Sequence, residues 1–380
     1  MRSWLAVLLL LSLVPARAGP DNPAVRVALV QGVESARVEG AGGLSVKSAN
    51  GAELLARLPA TSVPVRGGTG LEVDGKLYGQ AVLLVPRGGS FALNGKSYRG
   101  HLKAVLENGR LTLVNILPLE TYIQSVLGGE INRSWPAATL RAHAIASRTY
   151  AAYMRTVPRG KEYDLVATIL DQVYPGVAGE SASIRRAVED TRSQVLVREN
   201  VGLLKTFYSS HCGGHTSDSE PVFYKEKVPA LEGVPDPYCA GAPNSSWTVE
   251  FSADKIRERL TIKGYPVATL QEIGPIPRDE SGRIESFRVI DVKGVERKLP
   301  GAELRRVLGY SELRSTRAQV EVIESAGRPA KVRFRGQGWG HGVGLCQWGS
   351  LAMGEQGFSA RQILEHYYPR ASIRKLPLGG

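Results

Sequence analysis

Three places in the chain gather residues whose types and spacing could do chemistry. The first is Glu130 in "LGGEINRSWP", behind Gly128 and Gly129 and ahead of Pro136. Glycines let a ligand approach the backbone, and a helix start favours negative charge. A carboxylate in a cleft serves as general acid or base once burial raises its pKa. The plainer role for the same residue is a helix-start acid held by the helix dipole. The second place is "YSSHCGGHT", with His211, Cys212 and His215 close together and Cys239 further on in "DPYC". Two thiolates and two imidazoles would complete a tetrahedral zinc site, although adjacent His211 and Cys212 do not easily face one ion. A Cys212–Cys239 disulfide is the competing reading, which export would favour.

The third place is "GQGWGHGVGLCQWGS", Gly336 to Ser350. Its glycines fall at 336, 338, 340, 342, 344 and 349, mostly at every second residue. A strand bare on one face leaves room there for a flat ligand or another backbone. Gln337, Trp339, His341, Val343 and Leu345 would occupy the other face, and a Trp and a His beside an open face suit a sugar cleft. A tight turn packed by Trp339 and Trp348 is the alternative. Cys346 has no local base besides His341 and reads as a small buried hydrophobe rather than a nucleophile.

The elements that must position these residues form an α+β pattern. From Ala24 to Asn115 short β-rich runs such as "VRVALV", "AVLLVP" and "RLTLVNIL" are broken by Gly and Asn. Tight turns are expected at Asn94-Gly95 and Asn108-Gly109. From residue 116 to 375 helices and strands mix. Leu117, Leu119, Tyr122, Ile123 and Val126 recur at helical spacing, and Gly128-Gly129 should end that helix. Pro136 suits the first position of the next helix, an alanine-rich one. Glu130 then lies in a helix–break–helix. "AQVEVIES" and "AKVRFRGQG" read as a hairpin pair.

The chain has 380 residues, 43% hydrophobic and 22% charged, enough for a sizeable core. Residues 1–18, "MRSWLAVLLLLSLVPARA", carry a basic start, a short apolar run and a small-x-small ending, the pattern of a cleavable export signal. The expected location is the periplasm or cell wall, with a membrane anchor as the alternative if the signal stays uncleaved. Cleavage removes Arg2 and Arg17 and takes the formal charge from +12 to +10. Outside the cell such an excess suits anionic wall polymers or membrane surfaces. The positive charges are scattered rather than clustered, which together with the signal argues against nucleic acid. Three cysteines permit at most one internal disulfide and leave a spare thiol.

Together the blocks "LPLETYIQSVLGGEINRSWPAATLRAHAIASRTYAAY", "YSSHCGGHTSDSE" and "GQGWGHGVGLCQWGSLAMGEQGFSARQILEHYYP" resemble the SpoIID/LytB family, in the family's order and across nearly the whole mature chain. The resemblance implies a β-rich N-terminal part followed by a SpoIID-type catalytic core. It implies a lytic transglycosylase that cuts stem-free peptidoglycan strands between N-acetylmuramic acid and N-acetylglucosamine, with Glu130 as acid and base. It places Arg148, Tyr150, Lys205, Tyr208, His341 and Gln347 in or near the cleft. It also raises the case for zinc at the "CGGHT" block, and for the alternative that the protein binds glycan and enhances a cell-wall amidase. Cys346 departs from the family's common "SQWG", which suggests that the position packs rather than catalyses.

Overall fold

The computed structural model describes residues 19–59, 62–223, 231–243 and 245–377; the expected export signal at 1–18 lies outside them. The fold class is α+β. The chain divides into two compact units. The first runs to Val126 and takes in Pro158–Glu180; the second comprises Leu127–Val157 and Ser181 to the end.

The first unit is built on two sheets. In a seven-stranded sheet the order is 165–166, 24–33, 110–118, 101–107, 81–86, 44–48 and 54–58. Only the first pair is parallel. Six strands form the other sheet, in the order 96–99, 90–93, 35–39, 62–66, 71–73 and 76–78. Alternation sets which face is inward: Val82 and Leu84, and Leu102, Ala104 and Leu106, are all buried. The two expected turns are present. Asn94 and Gly95 have φ of 51° and 74°, and Asn108 and Gly109 have 51° and 75°. Positive φ at both central positions is the type I′ turn that matches strand twist, and Asn-Gly is the pair that tolerates it. Buried Asn115 is fully employed: its amide donates to the carbonyls of Arg99 and His101, and its Oδ1 accepts from the Tyr174 hydroxyl.

Leu117, Leu119, Tyr122, Ile123 and Val126 are buried as their spacing requires. The helix they belong to, Leu119–Glu130, does not stop at the glycines. Gly128 and Gly129 lie within its final turn, and Glu130 is its last residue. Glycine costs only about 1 kcal/mol per helical position, less than the packing of Leu127 and Ile131 on either side recovers.

The second unit is organised around the helix Ala137–Thr156. Pro136 takes the N-cap position, one residue earlier than expected. Fourteen of its residues are buried, on every face. Small Ala142, Ala144, Ala146, Ala151 and Ala152 let helices Ala182–Asp190, Gln347–Glu355 and Ala360–Tyr367 approach closely. Tyr208–Ser209 and Leu345–Cys346 pair in parallel, and Gln194–Arg198 lies between Gly202–Leu203 and Ser372–Lys375. Residues 246–337 make a distinct piece of this unit. It holds two three-stranded sheets, 246–252/328–337/318–325 and 270–273/286–291/296–300, with helices Ala253–Ile262 and Gly301–Leu308. The expected hairpin 318–325/328–337 is among these strands. Phe251, Ile256, Leu260, Phe287, Leu304 and Phe334 anchor its own core. Among the described residues no helix is long and apolar enough to cross a membrane.

Candidate functional site

Glu130 is half-buried at the C-terminal end of its helix, so the nearest helix end presents carbonyls rather than the N–H groups expected from the sequence. The loop after it carries Trp135, whose backbone N–H donates to Asn132 O at 3.1 Å. Trp135 meets Trp348 edge-on, with ring centroids 5.7 Å apart, and His143 at 6.5 Å. His143 in turn meets Tyr208 at 6.1 Å. Trp135, Trp348 and Tyr208 are half-exposed. The group is therefore an aromatic ledge with a fully buried imidazole behind it. His143 Nε2 lies 2.9 Å from Ser350 Oγ, which donates to Gln347 O at 2.7 Å. Burial pushes the His143 pKa down to about 3, so its ring is neutral at physiological pH. Such a ledge can cover the apolar face of a sugar. Sequence reasoning missed Trp135 and His143. Their only signal was a Trp at a helix start and a His on an alanine-rich helix.

The other expected cleft residues fall in different surroundings. Tyr150 and Lys205 are buried, with Lys205 Nζ 5.0 Å from the Phe207 ring centre and 5.8 Å from that of Tyr150. Phe207 stacks on Phe223 at 3.9 Å, and both contact His341, at 5.9 and 5.3 Å. The His341 Nδ1 accepts the Val343 N–H at 3.0 Å. Burial, with the Arg305 and Arg283 charges, lowers the His341 pKa to about 3 and keeps its ring neutral. Gln347 begins the helix Gln347–Glu355, beside Trp348. Arg148 lies inside the second unit. It is fully buried, and its guanidinium donates to the carbonyls of Ala144, Gln194 and Val188, cross-linking the long helix to Ala182–Asp190 and the strand after it.

The glycine-rich stretch is strand up to Gln337 and again only at Leu345–Cys346. Gly338, Gly340, Gly342 and Gly344 all have positive φ, so the chain coils where alternation suggested a flat edge. The space left by the missing side chains is filled by the protein itself. At Gly342 it is occupied by the Arg283 guanidinium, which donates to Cys212 O at 2.6 Å. The strand and its bare ligand face are thereby corrected to a packed loop.

The "HCGGHT" block does not gather the four residues expected of it. His215 turns its Nδ1 to Thr216 O at 2.6 Å, and His211 Nε2 lies 2.8 Å from Cys239 O. Instead Cys212, Asp236, Cys239 and Cys346 come together, all buried, with their ligating atoms within 4.8 Å of one another. Cys212 and Cys239 are free, their sulfurs 3.5 Å apart, and Cys346 is free as well.

A β-rich unit, a buried alanine-rich helix and a glutamate at the end of the helix before it define an α+β protein with a candidate glycan ledge. A family model described as "Stage II sporulation protein" matches residues 107–197, the span that carries Glu130 and the buried helix. A domain of unknown function matches residues 241–344, the piece with its own core. An uncharacterised protein of Brachyspira hyodysenteriae is 30% identical over 315 residues, covering 82% of each chain. Stage II sporulation protein D of Bacillus amyloliquefaciens is 29% identical over 68% of this chain and 75% of its own. The amidase enhancer of Bacillus subtilis is 27% identical over 78% of this chain and 47% of its own. The chain belongs to the SpoIID/LytB family.

Proposed function

We propose that this protein acts on the bacterial cell wall as an exported peptidoglycan lytic transglycosylase, with Glu130 as its acid and base. The observation that carries the reading is the place of Glu130: half-buried, at the end of a helix, just before the loop that carries Trp135 of the aromatic ledge with Trp348 and Tyr208. In this reading Glu130 first donates a proton and then takes one back. Glu130 protonates the glycosidic oxygen as the bond to C1 of N-acetylmuramic acid breaks. The resulting carboxylate then takes the proton of the sugar's own C6 hydroxyl as that oxygen closes onto C1. The product is a 1,6-anhydro end. No water is consumed, so the second carboxylate that ordinary glycosidases need has no task here. The ledge orients the ring, and neutral His143 holds Ser350 and through it the start of the helix that bears Trp348.

A second reading rests on the likeness to the amidase enhancer: the chain binds glycan and assists a separate cell-wall amidase without cutting. Mass spectrometry of stem-free glycan strands separates the two. The purified protein should generate anhydro-muramyl ends, and Glu130→Gln should fold normally and lose them by at least about a thousandfold, the upper part of the range for a general acid. New ends made equally by both proteins would dismiss Glu130. Glycan bound but never cut would favour the enhancer.

A further inference from the structure

The cluster of Cys212, Asp236, Cys239 and Cys346 has no part in the chemistry above. Its four ligating atoms come from three stretches far apart in sequence: the loop after Tyr208–Ser209, the short 3-10 helix Pro237–Gly241, and the start of helix Gln347–Glu355. The Cys212 and Cys239 sulfurs are 3.5 Å apart. That is too far for a disulfide of about 2.05 Å. It is close to the roughly 3.8 Å that two sulfurs span on a tetrahedral zinc with Zn–S bonds of about 2.3 Å. Asp236 Oδ2 lies 3.1 Å from Cys212 Sγ.

The surroundings are arranged for sulfur that carries charge. The Gly214 N–H points at Cys212 Sγ, and the N–H groups of Cys212 and Gly349 both point at Cys346 Sγ, each at 3.4 Å. Cys346 also caps a nine-residue helix, whose positive end favours a thiolate. The absent side chain of Gly349 leaves room for the Asp236 carboxylate and the Tyr367 hydroxyl. Beside the cluster lies Arg283, 1% exposed, with Nε and Nη1 lacking a hydrogen-bond partner and Nη2 on the Cys212 carbonyl. A buried guanidinium with two idle nitrogens calls for nearby negative charge. Three thiolates and a carboxylate around a divalent ion leave a net charge of about −2, by the count of formal charges.

We propose that Cys212, Cys239 and Cys346, with Asp236 as fourth ligand, hold a zinc ion. All four ligands are buried, leaving no open position, so the site is structural rather than catalytic. Binding releases the protons of the three thiols and fastens the "HCGG" loop, the "DPYC" turn and the start of the Trp348 helix to one another. Cys346 is thereby a ligand, and His215 is not.

Elemental analysis of the purified chain, prepared without chelator, tests this together with thiol counting after denaturation. One zinc per chain is expected, with three reactive thiols once it is removed. Cobalt exchanged for zinc should give the intense thiolate-to-cobalt absorption of three sulfur ligands. Cys346→Ser should weaken zinc binding by more than the roughly ten- to hundredfold that loss of an outer partner causes, and His215→Ala should leave it unchanged. A metal-free chain with three free thiols would overturn the proposal. So would a chain lighter by two hydrogens with Cys212 linked to Cys239, or loss of zinc in His215→Ala. If Cys346→Ser does not fold, the cobalt spectrum of the unaltered protein still decides between three sulfur ligands and two.

Discussion

Gly342 shows how much one residue's absence of a side chain can hold in place. Its φ is 79°, and a Cβ there would strike the buried Arg283 guanidinium. Gly327, in the turn between strands 318–325 and 328–337, has φ of 70° and open space around it. Gly327→Ala should therefore cost only the backbone strain, about 1 kcal/mol. Gly342→Ala should add overpacking and cost about 3 kcal/mol in all. Urea unfolding of the two variants measures the gap; equal midpoints would mean that Arg283 moves aside. At this scale the sequence was legible where chemistry is local. Glu130, Cys212 and Cys239 stand out by their neighbours. Asp236 and Cys346 do not, because what brings them to Cys212 is the folded chain, and no spacing rule spans that distance. Arg148, which the resemblance puts in or near the cleft, satisfies carbonyl oxygens inside the unit, a role that no local pattern announces.

Among the elements, the helix Ala137–Thr156 has the clearest consequence for pH. His143 sits on it with no exposure and a pKa lowered to about 3, against about 6.5 in an open chain. Below pH 6.5 the unfolded chain takes up a proton that the folded one refuses. Stability contributed by the neutral ring is complete above pH 6.5 and falls as the pH drops toward 3, by up to roughly 1.4 kcal/mol per pH unit. His143→Gln should remove that part of the slope between pH 6 and about 4, read from urea midpoints across the range. An unchanged slope would mean that the imidazole ionises freely. The asparagine-glycine turns were legible because few other pairs accept positive φ twice. The glycine alternation was misread as a strand because a period of two is also what a loop of repeated left-handed glycines produces. The end of the Leu119–Glu130 helix was misplaced because two weak glycines are outweighed by burial on either side.

The molecule as a whole is less linear than its sequence. A β-rich opening followed by a mixed region was visible in composition. The division inside a helix at 126/127, and the return of Pro158–Glu180 to the first unit, leave no compositional mark. Residues 246–337 are different. Ser246 pairs with Gln337 across neighbouring strands, so this piece begins and ends at one point and encloses its own core. Expressed alone, residues 245–338 should fold cooperatively, as inserted domains with adjacent ends do. A single sharp urea transition would establish this, and a fragment without one would mean that contacts such as Arg283 to Cys212 O are required. The first unit is drawn from two separate stretches of the chain, which matters in time as well as space. Its strand 24–33 is made first, but in the sheet it stands between 110–118 and 165–166. Synthesis reaches 165–166 only after the long helix of the second unit has been laid down. The earliest strand must wait, half-paired, while part of another unit is delivered, so the two units share one schedule of assembly.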